Sequence, residues 1–311
     1  MTGRDGFGTA FHTPVLVHEV VRLFQDAKTV LDGTVGGGGH TAALLDAGIP
    51  RVTGIDRDPD ALASARARLA VFERAGRFRP LAANYADAPT ALPGASFDGI
   101  LLDLGVSSHQ FDASDRGFTF REGAALDMRM ERDADVPTAA DILNAEDERA
   151  LAGIFKAYGD EPRAGRLARE IVRRRATEPF ATSDHLVRAI RGALGKRTGP
   201  ADFARLFQAL RIAVNDEAEG LRRALPALRD VLTPGGVLAV ITYHSGEDRV
   251  VKHVFRDWTA GCVCPPRQPV CTCGRTPLGE TLIRRAVTPS ADETASNPRA
   301  RSAKLRAWRK A

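Results

Sequence analysis

Four consecutive glycines at positions 36–39 constrain the fold of this chain more than any other feature. They follow a short apolar segment, residues 28–32, which ends in Asp32 and is typical of a buried strand. Residues 40–48 have helical composition and end in Gly48, a residue that suits the position just after a helix. Glycine runs carry an entropic cost, so a strand-to-helix turn built from them indicates a ligand that passes close to the backbone.

The spacing of the glycines bears on the class of ligand. A dinucleotide site uses G-x-G-x-x-G, and this run does not fit, because Thr41 stands three residues after Gly38. A site for S-adenosylmethionine (AdoMet) carries no phosphate and combines an acid at the strand end with glycines that face the methionine part. Asp32 and the glycines suit that site better, and a purely structural turn is the remaining alternative.

A second strand and its terminal acid strengthen this interpretation. Residues 51–55 predict a strand that leads to Asp56, 20 residues after Gly36, the spacing at which an acid reaches the hydroxyls of a ribose. Pro59 predicts the start of a helix. We expect Asp58 to cap that helix, with Asp56 as the alternative cap.

Three further strands complete a predicted sheet. Residues 77–85 lead to Tyr85, which is placed to stack on an adenine, and the apolar segment 97–108 contains a strand ending in Asp103. Residues 234–245 predict the fifth strand. Strands that alternate with helices in this order predict a doubly wound α/β sheet.

Composition narrows the possible partners and locations. The 311 residues include 44 Lys and Arg against 39 Asp and Glu, a formal net charge of +5, which suggests a polyanionic partner. No apolar run reaches about 18 residues, so no membrane span is predicted. Residues 1–10 lack the apolar core of a secretory signal, so a cytoplasmic protein is expected.

Several unusual strings share their order with one known family. They are DGTVGGGGH, GIDRDP, LLDLGVSS, LDMRM, TYHSGEDR and NPRARS. From about Phe11 to its end, the chain resembles the bacterial small-subunit (16S) rRNA cytosine N4-methyltransferases of the MraW/RsmH family. The resemblance implies a class I, Rossmann-like methyltransferase with AdoMet as methyl donor. It also implies, as acceptor, a cytidine in the decoding region of 16S rRNA in assembled or assembling small ribosomal subunits.

The resemblance assigns cofactor contacts residue by residue. Tyr85 takes a place where the family often has an aromatic, whereas Tyr243 and Gly246 stand where Phe and Leu are expected. The other AdoMet contacts implied by the resemblance are Gly38, Gly39, His40, Asp56, Asp103 and Gln110.

The resemblance also implies a helical domain inserted between the fourth and fifth strands. Residues 117–211 agree, since they contain helical stretches and no strand-like run. The methyltransferase domain would then comprise residues 1–116 and 212–311. Arginines of the insertion would contact RNA phosphates, a solvated surface being the alternative. The arginines of this cluster are Arg163, Arg166, Arg169, Arg173, Arg174 and Arg175.

Two residues are candidates for the chemistry. An enzyme that methylates an exocyclic amine must accept its N–H bonds and stabilise the developing charge. Asp103 is the candidate for that role, and an AdoMet contact is its alternative. His244, after the fifth strand, could orient or deprotonate the amine, or be a structural histidine. Carbon-5 methylation is excluded, because it needs a cysteine at these strand ends and neither has one.

All four cysteines lie in one short segment. Within twelve residues they suit an all-cysteine tetrahedral zinc site, with reduced thiols as the alternative, since disulfides are not expected in a cytosolic chain. The segment is CVCPPRQPVCTCG, with Cys262, Cys264, Cys271 and Cys273.

Competing functions remain open at this stage. An NAD-dependent oxidoreductase and a non-enzymatic RNA-binding assembly factor are alternatives to the methyltransferase, and the protein is expected to be a monomer or a homodimer. For the C-terminal tail, we expect the segment 297–302 to fold back on the sheet edge. Trp308, among cations, would touch RNA by stacking, unless the tail is a frayed terminus.

Overall fold

The computed structural model describes residues 14–105, 117–131, 136–195, 197–262, 264–265, 268–270 and 272–311. The chain divides into two compact units. We call the first the sheet unit; it extends to Gly105 and resumes at Glu219. The helical unit lies between them in the sequence and ends at Ala218.

The sheet unit is built on one seven-stranded sheet with the order β3-β2-β1-β4-β5-β7-β6. Strands β1 to β5 pair in parallel, and β7 is antiparallel to β5 and β6. The strands are β1 (Thr29–Asp32), β2 (Arg51–Asp56), β3 (Phe78–Ala82), β4 (Phe97–Asp103), β5 (Leu232–Thr242), β6 (Gly279–Thr281) and β7 (Lys304–Lys310).

Twelve α-helices are present in the described residues. The numbering runs along the chain, and α10 crosses the boundary between the units. The helices are α1 (Val17–Leu23), α2 (Gly39–Asp46), α3 (Pro59–Arg74), α4 (Ala88–Ala91), α5 (Ala139–Ala145), α6 (Glu148–Ala157), α7 (Ala164–Arg175), α8 (Ser183–Leu194), α9 (Pro200–Val214), α10 (Glu217–Asp230), α11 (Ser245–Thr259) and α12 (Ala291–Ser296). None of these helices is both long and apolar enough to cross a membrane.

Helices cover both faces of the sheet, which explains why its central strands are almost wholly apolar. In β4, Ile100, Leu101 and Leu102 are fully buried. One face packs against residues of α1, α2 and α3, and the other against residues of α10 and α11. The predicted doubly wound α/β fold is confirmed. Its winding reverses between β1 and β4, and in such sheets ligands bind outside the carboxyl ends of the strands at this point.

The C-terminal segment corrects one expectation. Residues of the tail form β7, which lies between β5 and the edge strand β6. Trp308 is fully buried and its ring lies 4.9 Å from that of Trp258 and 6.4 Å from that of Phe255. The expectations of a frayed terminus and of stacking between Trp308 and RNA are therefore wrong. β7 forms backbone hydrogen bonds with antiparallel strands on both sides, and the Trp308 ring packs into the core on one face of the sheet.

The helical unit has a core of its own. Leu151, Phe155, Leu167 and Leu206 are all fully buried in one cluster. In the described part of this unit, β structure is limited to one isolated bridge, between Ala125 and Thr182. The boundary expected at residue 211 falls inside α9, which continues to Val214.

The basic cluster around α7 is extensively paired within the helical unit. Arg173 and Arg174 both bind Glu170, with closest distances of 2.8 and 2.6 Å. Arg169 lies 3.3 Å from Glu148. Arg163 pairs with Glu161, and Arg175 donates to two backbone carbonyls. Much of the positive charge expected to face RNA is thus balanced by neighbouring acids or carbonyls.

Candidate active site

The glycine turn serves two separate purposes. Gly38 has φ +76°, and a Cβ built on it would lie only 3.0 Å from Leu69 of α3. A Cβ on Gly39 would lie 3.4 Å from Pro14. Gly37, in contrast, would meet no described atom within 4 Å, and Gly36 only one carbonyl at 3.9 Å. The second half of the run is therefore needed for packing, and the first half has no described side chain beside it, as a ligand lying against the backbone would require.

Asp56, at the end of β2, forms a hydrogen bond with the glycine turn that follows β1. Its Oδ2 accepts a hydrogen bond from the backbone N–H of Gly36 (2.9 Å) and its Oδ1 from that of Asp58 (2.9 Å). Burial raises the pKa of Asp56. Asp58 caps α3 by accepting from the Asp60 N–H (3.0 Å), so the prediction for this cap is confirmed. A carboxylate has about four acceptor sites, so Asp56 retains capacity for the hydroxyls of a ribose.

Asp32, at the end of β1, is an interior carboxylate. It is 1% exposed and accepts hydrogen bonds from the Thr41 hydroxyl (2.7 Å) and the Thr34 N–H (3.2 Å). Burial raises its pKa to about 6. Asp32 therefore joins the end of β1 to the first turn of α2. The sequence marked it as a strand-end acid without indicating Thr41 as its partner.

Asp103, at the end of β4, lies in the densest polar cluster of the site. Its backbone N–H donates to the Thr34 hydroxyl (2.7 Å). Its Oδ1 accepts a hydrogen bond from the Tyr243 hydroxyl (2.8 Å), and its Oδ2 lies 3.5 Å from Nδ1 of His40. Asp103, His40 and Tyr243 are thus brought together from three elements.

Of the two partners of Asp103, His40 is buried and Tyr243 is half-buried. Nε2 of His40 donates to the carbonyl of Val15 (2.9 Å), and burial lowers the pKa of this histidine. Burial, and then the charge of Asp103, raises the pKa of Tyr243 well above its ordinary value. Tyr243 is the site residue that sequence reasoning missed, since it stood out only as a departure from the phenylalanine expected there.

His244 caps a helix. Its Nδ1 accepts from the backbone N–H groups of Gly246 (3.2 Å) and Glu247 (3.4 Å), at the start of α11. Its Nε2 lies 3.1 Å from the buried carboxylate of Glu247. These contacts occupy the lone pair that a general base would use and favour the structural alternative; the catalytic role of His244 remains a prediction.

The remaining candidates differ in how much the structure says of them. Tyr85 opens a short 3₁₀ helix, Tyr85–Asp87, just after β3. A Cβ built on Gly33, directly after β1, would lie 3.1 Å from the Cβ of Tyr85, which places this tyrosine at the carboxyl ends of the strands. Its stacking on an adenine remains a prediction. Gln110 lies outside the described residues.

Three of the four cysteines form a cluster. The Sγ atoms of Cys262, Cys264 and Cys273 all lie within 4.8 Å of one another. The backbone N–H of Cys264 also donates to Cys262 Sγ at 3.4 Å. Three thiols this close have the chemistry of a zinc ligand set. Cys271 lies outside the described residues.

Fold and site together define a class of protein. A doubly wound sheet carries, at the point where its winding reverses, a glycine turn whose first two glycines have no described side chain beside them. An acid ends the second strand at the spacing that suits a ribose, and a cluster of a buried histidine with a half-buried aspartate and tyrosine lies at the end of the fourth strand. These features are those of an α/β enzyme that binds a nucleoside-containing cofactor.

Comparison with known proteins gives the family. The chain belongs to the MraW methylase family, whose sequence pattern matches residues 9–311. Ribosomal RNA small subunit methyltransferase H of Gemmatimonas aurantiaca is 63% identical to it over 314 residues, covering 100% of this chain and 98% of that protein. The protein of the same name from Heliobacterium modesticaldum is 47% identical, covering 96% and 98%. An NAD-dependent oxidoreductase is thereby excluded.

Proposed function

We propose that this protein transfers a methyl group from AdoMet to the exocyclic N4 amine of a cytidine in the decoding region of 16S rRNA. The observation that carries the proposal is full-length similarity, at 63% identity, to a small-subunit rRNA methyltransferase. The geometry around Asp103 supports an amine acceptor. Assembled or assembling small ribosomal subunits would be the substrate.

The residues present suit AdoMet. Open space above Gly36 and Gly37 accommodates the methionine part, and Asp56 accepts from the ribose hydroxyls. Tyr85 would face the adenine. When bound, AdoMet supplies an electrophilic methyl group on a sulfonium. No phosphate has to be neutralised, which agrees with a turn that contains no Lys or Arg.

Asp103 would act on the acceptor. The lone pair of the cytosine amine is delocalised into the ring, so the amine is a weak nucleophile. A carboxylate that accepts an N–H bond localises this lone pair and stabilises the positive charge that develops on nitrogen. In the competing role Asp103 holds the cofactor. Variants of Asp103 would then bind AdoMet more weakly rather than transfer the methyl group more slowly.

The helical unit would recognise RNA. Arg166 of α7 is exposed, and its side chain has no ion pair or hydrogen bond with the described residues. An exposed guanidinium of this kind is suited to bind a phosphate in bidentate fashion. The paired arginines beside it would have to exchange their carboxylate partners for phosphates.

The test of function is methyl transfer from labelled AdoMet to small subunits from cells that lack the enzyme, with nucleoside analysis of the product. We expect N4-methylcytidine. Asp103→Ala should abolish turnover, whereas Asp257→Asn, which alters an exposed carboxylate of α11, should not. Label in a different nucleoside would contradict the proposed acceptor, and normal methylation by Asp103→Ala would remove Asp103 from the mechanism.

We also propose that the cysteine cluster holds a structural zinc ion. The three described thiolates would be ligands, with Cys271 as the fourth, and the ion would brace the segment between α11 and β6. All cysteines of the chain lie here, so no thiol elsewhere competes for metal. Metal analysis of untagged protein should give close to one zinc per chain, and Cys273→Ser should lower it. Less than about 0.2 zinc per chain after mild purification would refute the site.

A further inference from the structure

The hydroxyl of Tyr243 fixes one oxygen of the Asp103 carboxylate. The distance of 2.8 Å is that of a good hydrogen bond in which a neutral O–H donates to a carboxylate. The two residues are 140 positions apart in the sequence and lie at the ends of neighbouring strands, β4 and β5. A carboxylate held at Oδ1 cannot rotate freely about its Cβ–Cγ bond, so the direction in which Oδ2 points is set as well.

Tyr243 is contacted both at its ring and at its backbone. Gly105 has φ +113°, and a Cβ built on it would lie 3.4 Å from Cδ2 of the Tyr243 ring, so the backbone of Gly105 runs close to the ring. The backbone N–H of Tyr243 donates to Oε2 of Glu247 (3.1 Å), a carboxylate that is 3% exposed. Backbone and ring are thus both fixed, and the hydroxyl has a defined position from which to orient Asp103.

The other oxygen of Asp103 faces a second acceptor. Nε2 of His40 donates to the Val15 carbonyl, so a neutral ring carries its proton on Nε2 and presents a lone pair at Nδ1. This lone pair lies 3.5 Å from Oδ2 of Asp103. A primary amine has two N–H bonds to donate, and an amine placed between these two acceptors would bridge both of them through bent hydrogen bonds.

We propose that Tyr243 is a positioning residue that orients Asp103, so that Asp103 Oδ2 and His40 Nδ1 together accept the two N–H bonds of the exocyclic amine. The inference rests on the proposed function and specifies how its substrate amine is recognised. The hydroxyl is the atom by which this chain departs from the phenylalanine expected at position 243.

The test compares Tyr243→Phe with Tyr158→Phe, which removes the same atom from a tyrosine of the helical unit. Each variant is assayed for kcat and for KM with small subunits, for AdoMet Kd, and for thermal unfolding. We expect Tyr243→Phe to lower kcat about tenfold, because a hydrogen bond that matters in the transition state is lost. The KM for subunits, the AdoMet Kd and the melting temperature should stay close to those of the wild type, as should every parameter of Tyr158→Phe.

Three outcomes separate the possibilities. A kcat of Tyr243→Phe within twofold of wild type would overturn the positioning role. A loss confined to AdoMet Kd would also overturn it, since Asp103 would then be oriented toward the cofactor. If the wild-type protein binds AdoMet but forms no N4-methylcytidine, the proposed function fails instead, whatever the variant does.

Discussion

Three acids end neighbouring strands of one sheet, yet their surroundings give them different tasks. Asp56 binds two backbone N–H groups of the turns beside it, and Asp103 faces a phenol and an imidazole. Asp32 is enclosed and joins strand to helix through Thr41. Residue type and position at the strand end are the same in all three cases, so burial and hydrogen-bond partners decide which acid is structural and which faces a ligand.

Burial of Asp32 has a consequence for stability. Its pKa in the folded protein is about 6, against an ordinary value of 3.8. The folded state therefore binds a proton more tightly than the unfolded chain, and the contribution of Asp32 to stability falls as pH rises from about 4 to about 6. The total is about 3 kcal/mol.

Asp32→Asn should expose this effect. The unfolding free energy of the variant minus that of the wild type should be about 2–3 kcal/mol larger at about pH 7 than at about pH 4. Urea unfolding of both proteins at both pH values measures this change. Other carboxylates, such as Asp248, whose pKa is lowered, also make stability depend on pH. Their contribution is removed when the wild-type values are subtracted, because both proteins contain them. A difference between variant and wild type that is the same at both pH values would contradict the prediction.

At the scale of elements, the C-terminal strand is a stabilising part of the sheet. β7 pairs with β5 through six residues and with β6 through three. Arg306 and Lys304 of β7 also bind Asp248 of α11, at 2.6 and 3.5 Å. Two of the cations that surround Trp308 in the sequence are thus engaged in ion pairs within the fold.

Truncating Trp308 should therefore damage folding rather than RNA contact. We expect Trp308→Ala to lower the free energy of unfolding by about 3–5 kcal/mol, because it leaves a large cavity beside Phe255. Trp308→Phe should cost less. Urea unfolding measures both variants, and subunit binding under conditions where each is folded should match wild type. A Trp308→Ala protein with wild-type stability and weakened RNA binding would show that the ring acts on RNA after all.

For the whole molecule, charge matters through its distribution. The net charge of +5 favours association with RNA, but acids of the helical unit pair with four of the six arginines around α7. The pair between Arg169 and Glu148 is exposed, and such a pair contributes little to stability, so its disruption by a phosphate costs little. Arg166 has no carboxylate partner among the described side chains, so it would bind a phosphate without first breaking an ion pair.

Salt dependence can measure this difference. If Arg166 contacts a phosphate, Arg166→Gln should reduce the slope of log K against log salt for subunit binding by about 1. Arg22→Gln, which removes an exposed cation from α1, is the matched control and should leave the slope unchanged. Equal slopes for both variants and the wild type would place Arg166 outside the RNA interface.

How much the sequence determined can be stated from particular residues. The glycine turn, the acids that end β1, β2 and β4, the Asp58 cap and the change from strands to helices after β4 were all readable, because each depends on periodicity or turn chemistry within a few residues. The family was readable for a related reason, since strings such as LDMRM and NPRARS are short and unusual.

Only the tertiary structure decided which side chains meet. The hydrogen bond between Tyr243 and Asp103 spans 140 positions, and it exists because β5 lies beside β4. The buried place of Trp308 depends on β7 lying between β5 and β6, which reverses the chain direction at that side of the sheet. Strand order is a global property, set by how all the apolar faces are buried together, so no local pattern of residues encodes these contacts.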